Sequence, residues 1–472
     1  MNFARLLGAA QLALLRRRLR ARLPGAPANG LLSITLDLGA GDAQWLNVDL
    51  ARSQVNWWAR PAAGGAGDYR LALGSAMSFA TAGPARFAAL QAAFTGLAAV
   101  WLHDDDQQTG VVPAAHIGFA FDEESRDELP NARLLVPAIL LHSRAGRCSA
   151  SFTCAVRERE SAIARWLAEL RAAAPAPDRA VTAGVWLRQS EPLADRAFLA
   201  RARAALAEIA RGTVDKLVLA RSVRFDSETP IALAPLLAAL ADRHRECTTY
   251  SVGQHGQCFV GATPERLVSL RDGMVHADAL AGTAWLLADP LPGQPVSLAL
   301  QHEKNSREQQ LVVDAVRAAL EPVCAELNPP QAAEIMQLGE LQHLRTRITG
   351  RLRAGVGLFD LVAGLHPTPA VGGSPGSAAR QWLRRHGDRR GAWYTGGVGW
   401  IDRDGDGEVV VALRCARIKG RAAELFAGAG IVAGSDPTQE LAETEAKLSV
   451  ISAELRRPRR VASRQTPRSG AA

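Results

Sequence analysis

Between residues 190 and 455 the chain alternates helical periodicity with long strand-like runs, and that alternation restricts it to a mixed α/β (α+β) class. Helical patterns fall at 198–211, 231–243 and 303–320. Strand patterns fall in KLVLARSVRF, CFVGATPERLVSL, GEVVVALRCARI and AAELFAGAGIV, long enough to suit antiparallel pairing. Before residue 190 the signals are sparser. LLSITLDL and ARLLVPAILLHS read as strands, an Ala-rich segment near 85–101 reads as a helix, and AAAPAPD at 172–178 reads as a linker or long loop. No internal repeat is visible.

Composition narrows the class of protein. With 48% apolar and 22% charged residues, 472 residues can bury a sizeable core. No apolar run reaches eighteen residues, so no membrane-spanning helix is expected. Leu6 to Leu15 is a short apolar stretch, but its arginine cluster follows instead of preceding. That order predicts an amphipathic surface helix, not a secretory leader, and a cytoplasmic protein. Cys148, Cys154, Cys247, Cys258, Cys324 and Cys415 form no C-x-x-C pair and no zinc spacing, as suits reduced, packed thiols. The net charge of +8 belongs to the ends. Arg16, Arg17, Arg18, Arg20 and Arg22, with Arg456, Arg457, Arg459, Arg460, Arg464 and Arg468, are eleven arginines in segments without acids. Setting those eleven against the total of +8 leaves the body at −3, which argues against a nucleic-acid groove across the fold.

Four segments carry chemistry. In DPTQELAETEAKL, Asp436 can cap a helix, Pro437 suits its first position and Gln439 completes a capping-box pattern. Leu441, Leu448, Ile451 and Leu455 would form its buried stripe, with Glu440 and Glu443 on one face and Lys447 a turn beyond. Two such carboxylates are solvated in many proteins. In HEKNSREQQLVVDAV, Glu308 lies one turn before Val312 and Val316 on the apolar side, where a carboxylate needs a partner or must turn to solvent. A hard cation held from two helices would provide one. Lys216 opens a strand run; desolvation can make such a lysine a base, although most strand-end lysines reach water. Glu265 follows the Gly261–Pro264 turn directly before an apolar strand, where burial would make it an acid and exposure an ordinary surface group.

Two patterns mislead. Asp402, Asp404, Asp406 and Gly407 imitate a calcium loop, but its twelfth position is Leu413, so a turn between strands is expected. Gly428 and Gly430 imitate a dinucleotide fingerprint, yet the helix that follows is acid-rich and would repel a pyrophosphate.

Together the segments resemble the chorismate-utilising enzymes, which include isochorismate, salicylate, anthranilate and aminodeoxychorismate synthases. The matching pieces are KLVLAR, GATPERL, ALAGTA, EKNSREQQLVV, LQHLRT, LHPTPAVGG, WYTGGVGW, VALRCARI, AGAGIV and SDPTQELAETEAKL, in family order over 213–455. The resemblance implies antiparallel sheets packed together, helices on their outer faces and a central cleft. It implies Lys216 as the base activating water toward C2 of chorismate, and Glu265 as the acid protonating the departing C4 hydroxyl. It implies Mg²⁺ on Glu308, Glu440 and Glu443. Arg414 and Tyr394 match residues gripping the enolpyruvyl carboxylate, and Thr283, His343, Gly430 and Lys447 match other substrate-pocket positions.

The resemblance also selects a branch. Anthranilate synthases typically carry glutamine at the position of Lys216, and aminodeoxychorismate synthases often carry lysine at that of Ala281. Salicylate synthases usually follow the Gly-Thr pair with arginine, where this chain has Ala284. His366, Pro367, Thr368, Pro369 and Ala370 stand in the isochorismate-synthase form. Trp285, Leu286 and Gly397 depart from the common pattern. The expectation is an isochorismate synthase of the menaquinone or siderophore type, with salicylate synthase as its rival. A monomer without a glutaminase subunit, nucleic acid or membrane partner is implied. The expected layout is a basic segment at 1–28, a variable N-terminal part at 29–190, the chorismate-binding catalytic region at 191–456 and a disordered basic tail at 457–472. A protein of another class, using its basic ends to bind nucleic acid or a membrane surface, would lose binding when 1–28 and 457–472 are trimmed. The enzyme is expected to retain turnover.

Overall fold

The long apolar runs become strands of two large sheets in the computed structural model. It describes residues 7–21, 27–40, 46, 48–52, 54–61, 67–173, 186–188, 192–285, 303–338 and 341–457. The proposed linker lies largely outside these residues, and the C-terminal tail lies outside them from residue 458.

The larger sheet has 13 strands among the described residues. It runs from Trp186–Arg188 through Lys216–Ser227, Ala422–Val432, Cys415–Lys419, Gln257–Thr263 and Thr248–Gln254 to Val55–Arg60 and five further strands, ending at Trp101–Asp104. The second has 10 and includes Leu341–Leu352, Met274–Trp285, Arg266–Arg271, Gly407–Val411, Gly397–Asp402, Ala114–Phe119 and Ala132–Val136 in that order. Leu31–Ala40 pairs in parallel with Trp101–Asp104; the other described ladders are antiparallel. The inner faces share one core, where Trp58, Tyr250 and Phe259 of the larger sheet meet Val398, Trp400 and Val410 of the smaller. Strands from both sides of residue 190 pair directly, as Asn56 does with Val252 and Phe119 with Gly397. The N-terminal part is thus woven into both sheets.

Two strand-like runs are each broken in the middle, the first at Pro264, within the turn read at Gly261–Pro264, although Gly261 itself stays in the strand. CFVGATPERLVSL leaves the larger sheet at Thr263 and enters the smaller at Arg266, with Pro264 and Glu265 in the crossing. GEVVVALRCARI leaves the smaller sheet at Val411 and enters the larger at Cys415, with Ala412, Leu413 and Arg414 in the crossing. The crossings are bonded to each other: Val411 N–H donates to Glu265 O at 3.0 Å, and Ala262 N–H to Arg414 O at 3.1 Å. Periodicity does not reveal such a switch, because both halves stay apolar.

The C-terminal helix, Pro437–Arg456, starts as its sequence dictates. Asp436 Oδ1 accepts from the N–H groups of Thr438 and Gln439 at 2.8 and 2.9 Å. Leu448, Ile451 and Leu455 are buried, whereas Leu441 is only half-buried and packs on a separate cluster. Asp402 Oδ1 accepts from the N–H groups of Asp404 and Asp406, fixing the turn expected there. The six cysteines are free and buried, and no described helix is long and apolar enough to cross a membrane.

The basic N-terminal helix, Ala9–Ala21, is docked. Leu15 is wholly buried and Leu19 nearly so, in one core cluster with Leu32, Trp166 and Leu170. Arg18 pairs with Asp104 at 3.1 Å and Asp106 at 3.0 Å. Trimming residues 1–28 therefore uncovers core, which the sequence reading did not anticipate. Leu15→Ala is expected to cost about 3 kcal/mol of stability in urea unfolding, with turnover per folded molecule unchanged.

Candidate active site

Lys216, Glu265, Thr283, Glu308, His343, Tyr394, Arg414, Gly430, Glu440, Glu443 and Lys447 all line one cavity. They come from distant parts of the chain, and the fold gathers them by three devices.

The first is the ladder between Lys216–Ser227 and Ala422–Val432, which sets Val218 opposite Gly430. The missing side chain makes room for the Lys216 amine: a Cβ on Gly430 would lie 3.0 Å from both Lys216 Cε and Glu308 Oε1. Lys216 is buried and its Nζ donates to Glu308 at 2.7 Å. The second device is helix Glu303–Leu320, whose Val312 and Val316 are buried as expected. Gln309 pins it: its Nε2 donates to Ala279 O at 3.0 Å and Thr346 Oγ1 at 2.9 Å, and its Oε1 accepts from Ala281 N–H. The pinned helix aims Glu308 into the cavity. The third device is the pair of sheet crossings, which supplies Glu265 and Arg414.

Glu265 is 3% exposed, and burial pushes its carboxyl up to about 8. Lys216 opposes that shift, while buried Asp278 adds to it. The group is therefore a protonated acid at neutral pH. Arg414 holds a left-handed backbone, φ 45°, and donates to His343 Nε2 at 3.1 Å. His343 faces Thr283 across the ladder, its Nδ1 3.3 Å from Thr283 Oγ1. Burial, with Arg414 and Lys447 beside it, holds the imidazole neutral. Tyr394 stacks on Phe426 and is buried. On the C-terminal helix, Lys447 pairs with Glu443 at 2.5 Å and donates to Gly428 O at 2.9 Å, while Glu440 is 3% exposed.

Glu308, Glu440 and Glu443 are hard oxygen donors of the type Mg²⁺ takes. The donor chemistry fits such an ion, and two of the three carboxylates already hold a cation in the form of a lysine ammonium. Among the described residues no three metal-ligating side chains are drawn together around a single point. With these pairs closed the cavity is only about 70 Å³, against roughly 300 Å³ or more for a small-molecule site. A larger cleft of about 1170 Å³ lies against the C-terminal helix, but its charges satisfy one another, as in Arg221–Glu445 and Arg417–Glu424.

A buried clamp behind the cavity has no local signature in the chain. Arg390 donates to Val371 O, Thr395 Oγ1 and Val218 O at 2.6, 2.8 and 2.8 Å, and to Asp388 Oδ1 at 2.9 Å. Asp388 Oδ2 in turn accepts from Ala220 N–H at 2.9 Å. Val218, Val371 and Thr395 all line the cavity, so the clamp fixes its wall. In the local run GDRRG nothing distinguishes Arg390 from its exposed neighbour Arg389. Gln309 and Asp278 were likewise missed, because their partners are remote in the chain.

Comparison with known proteins follows the same lines. Residues 28–456 match the family model described as chorismate binding enzyme. The chain is 33% identical over 353 residues to isochorismate synthase MenF of Bacillus subtilis, covering 72% of this chain and 74% of that one. It is 38% identical over 260 residues to the salicylate biosynthesis isochorismate synthase of Pseudomonas aeruginosa, spanning 54% of each. Its fold matches the structure of MenF, the menaquinone-specific isochorismate synthase from Escherichia coli, with a TM-score of 0.75 and 26% identity over 94% of this chain and 99% of that one.

Glu265 also links stability to pH. Its carboxyl binds a proton more tightly folded, at about 8, than at its ordinary value of 4.5. The stability it contributes is thus full below 4.5 and lost as pH rises to 8. Chemical denaturation at pH 6 and pH 9 is expected to show a smaller loss of stability between these pH values for Glu265→Gln than for the parent.

Proposed function

We propose, from the premise that this chain belongs to the chorismate binding enzyme family, that it is an isochorismate synthase. The observation that carries the reading is a buried amine and a buried, protonated carboxyl lining one cavity. Lys216 takes a proton from water as the water oxygen bonds to C2 of chorismate. The ring double bonds shift, the C4–O bond breaks, and Glu265 gives its proton to the departing hydroxyl, which leaves as water. One water enters and one leaves. The proton gained by Lys216 balances that lost by Glu265, so a return transfer resets the pair. Lys216 must part from Glu308 and release a proton to solvent before its amine acts as a base.

Arg414 suits the enolpyruvyl carboxylate because its fork can bind a planar anion in two places, and Tyr394 lies in the same cavity. Mg²⁺ on Glu308, Glu440 and Glu443 would supply the positive charge that offsets the ring carboxylate. Neutral His343 and Thr283 would hold position without adding charge. The enzyme would act without a glutaminase partner. Support for this reading over salicylate formation comes from relatives named isochorismate synthase and from Ala284 after Thr283.

Purified protein given chorismate and magnesium is expected to yield isochorismate by chromatography; abundant salicylate without an added lyase would reverse the choice. Lys216→Gln is expected to lower kcat by about 10²–10⁴-fold. Glu265→Gln should bind chorismate with near-parental affinity yet not turn it over. Near-normal rates in both variants would refute the assignment of base and acid. The alkaline limb of kcat/KM should fall with an apparent pKa near 8, where Glu265 loses its proton.

A further inference from the structure

We propose that Arg133, Asn56 and His116 bind a small monovalent inorganic anion, of which chloride is the probe, in the interior between the two sheets. Asn56 lies on strand Val55–Arg60 of the larger sheet, and Arg133 and His116 on adjacent strands of the smaller. In that ladder Gly118 stands opposite Arg133, which places His116 diagonally next to Arg133 on the same face. Arg133 reaches across to the larger sheet, where its Nη2 donates to Asn56 Oδ1 at 3.4 Å. The three side chains are 5%, 2% and 6% exposed.

Each leaves a buried nitrogen without a partner: Arg133 Nε, Asn56 Nδ2 and His116 Nε2. Three unpartnered polar atoms on neighbouring buried side chains mark a place for a ligand. Charge then selects its class. Burial lowers the Arg133 guanidinium to about 10, so it is still a cation at neutral pH, and no carboxylate among the described residues acts on it. Arg70 is the other interior guanidinium near His116. It pairs with Asp68 at 3.1 Å, so that carboxylate is taken up, by His142 as well. His116 is neutral, its imidazole pushed down to about 3 by burial and the two arginines. One positive charge is left over. The face of Trp393, 5.4 Å away, compensates it in part. Water would fill the hydrogen bonds but not the charge, and an uncompensated buried cation is costly. A small anion meets both needs: it accepts from Arg133 Nε, Asn56 Nδ2 and the imidazole N–H.

The test is thermal unfolding of the full chain in sodium chloride and in sodium gluconate at equal ionic strength, the gluconate anion being too large for the interior. The parent Tm is expected to rise saturably with chloride, by about 2 °C. Asn56→Asp is nearly isosteric and sets a carboxylate against Arg133. It is expected to raise Tm in gluconate and abolish the chloride response, and Arg133→Met, if it folds, should also lose that response. Equal parental Tm in the two salts, or an unchanged chloride response in Asn56→Asp, would overturn the site.

Discussion

The paired crossings between the two sheets hold the site together. Chain leaving one sheet must satisfy its backbone groups elsewhere, and in a dry interior that requirement is strict. Here the two crossings satisfy each other, through Val411 to Glu265 O and Ala262 to Arg414 O. Thr263 Oγ1 adds a bond to Val411 O at 2.7 Å, and Thr395 N–H one to Ala412 O at 2.8 Å. Glu265 and Arg414 thereby occupy fixed positions where neither belongs to a regular ladder. The left-handed backbone of Arg414 and of Thr395, φ 59°, is a cost this bonding sustains.

The charges in the cavity follow from that rigidity. Lys216 is taken up by Glu308 and Lys447 by Glu443. Glu265 is left facing Lys216 without an ion pair among the described residues, and burial then favours its protonated form. One fold thus pairs some carboxylates with lysines and leaves another buried without such a pair. The contrast comes from partners, not residue type. Residues before 190 contribute scaffold to this arrangement: Ala114–Phe119 flanks Gly397–Asp402, and Phe121 lies under the Arg390 guanidinium at 3.8 Å.

Much of the architecture was legible in local sequence. Helix 303–320 and the strand at Lys216 were visible because periodicity and cap chemistry are properties of neighbouring residues. Asp436 and Pro437 announce a helix start wherever the chain goes. Ten ordered motifs likewise assembled the eleven cavity residues before any geometry was known, although no single motif distinguished a buried glutamate from a solvated one.

Tertiary structure decided the rest. An apolar run reads alike whether it stays in one sheet or crosses to another, so the break at Arg414 was invisible, and the turn read at Gly261–Pro264 did not show that Glu265 passes between sheets. The burial that raises the Glu265 carboxyl comes from chain segments far away in sequence. The bonds of Arg390 to Val218, of Asp388 to Ala220 and of Gln309 to Ala279 span 172, 168 and 30 residues, beyond the reach of any local pattern. Sequence determined which residues were available and which local elements they would form; desolvation and long-range pairing, which exist only once the chain is folded, decided what each could do.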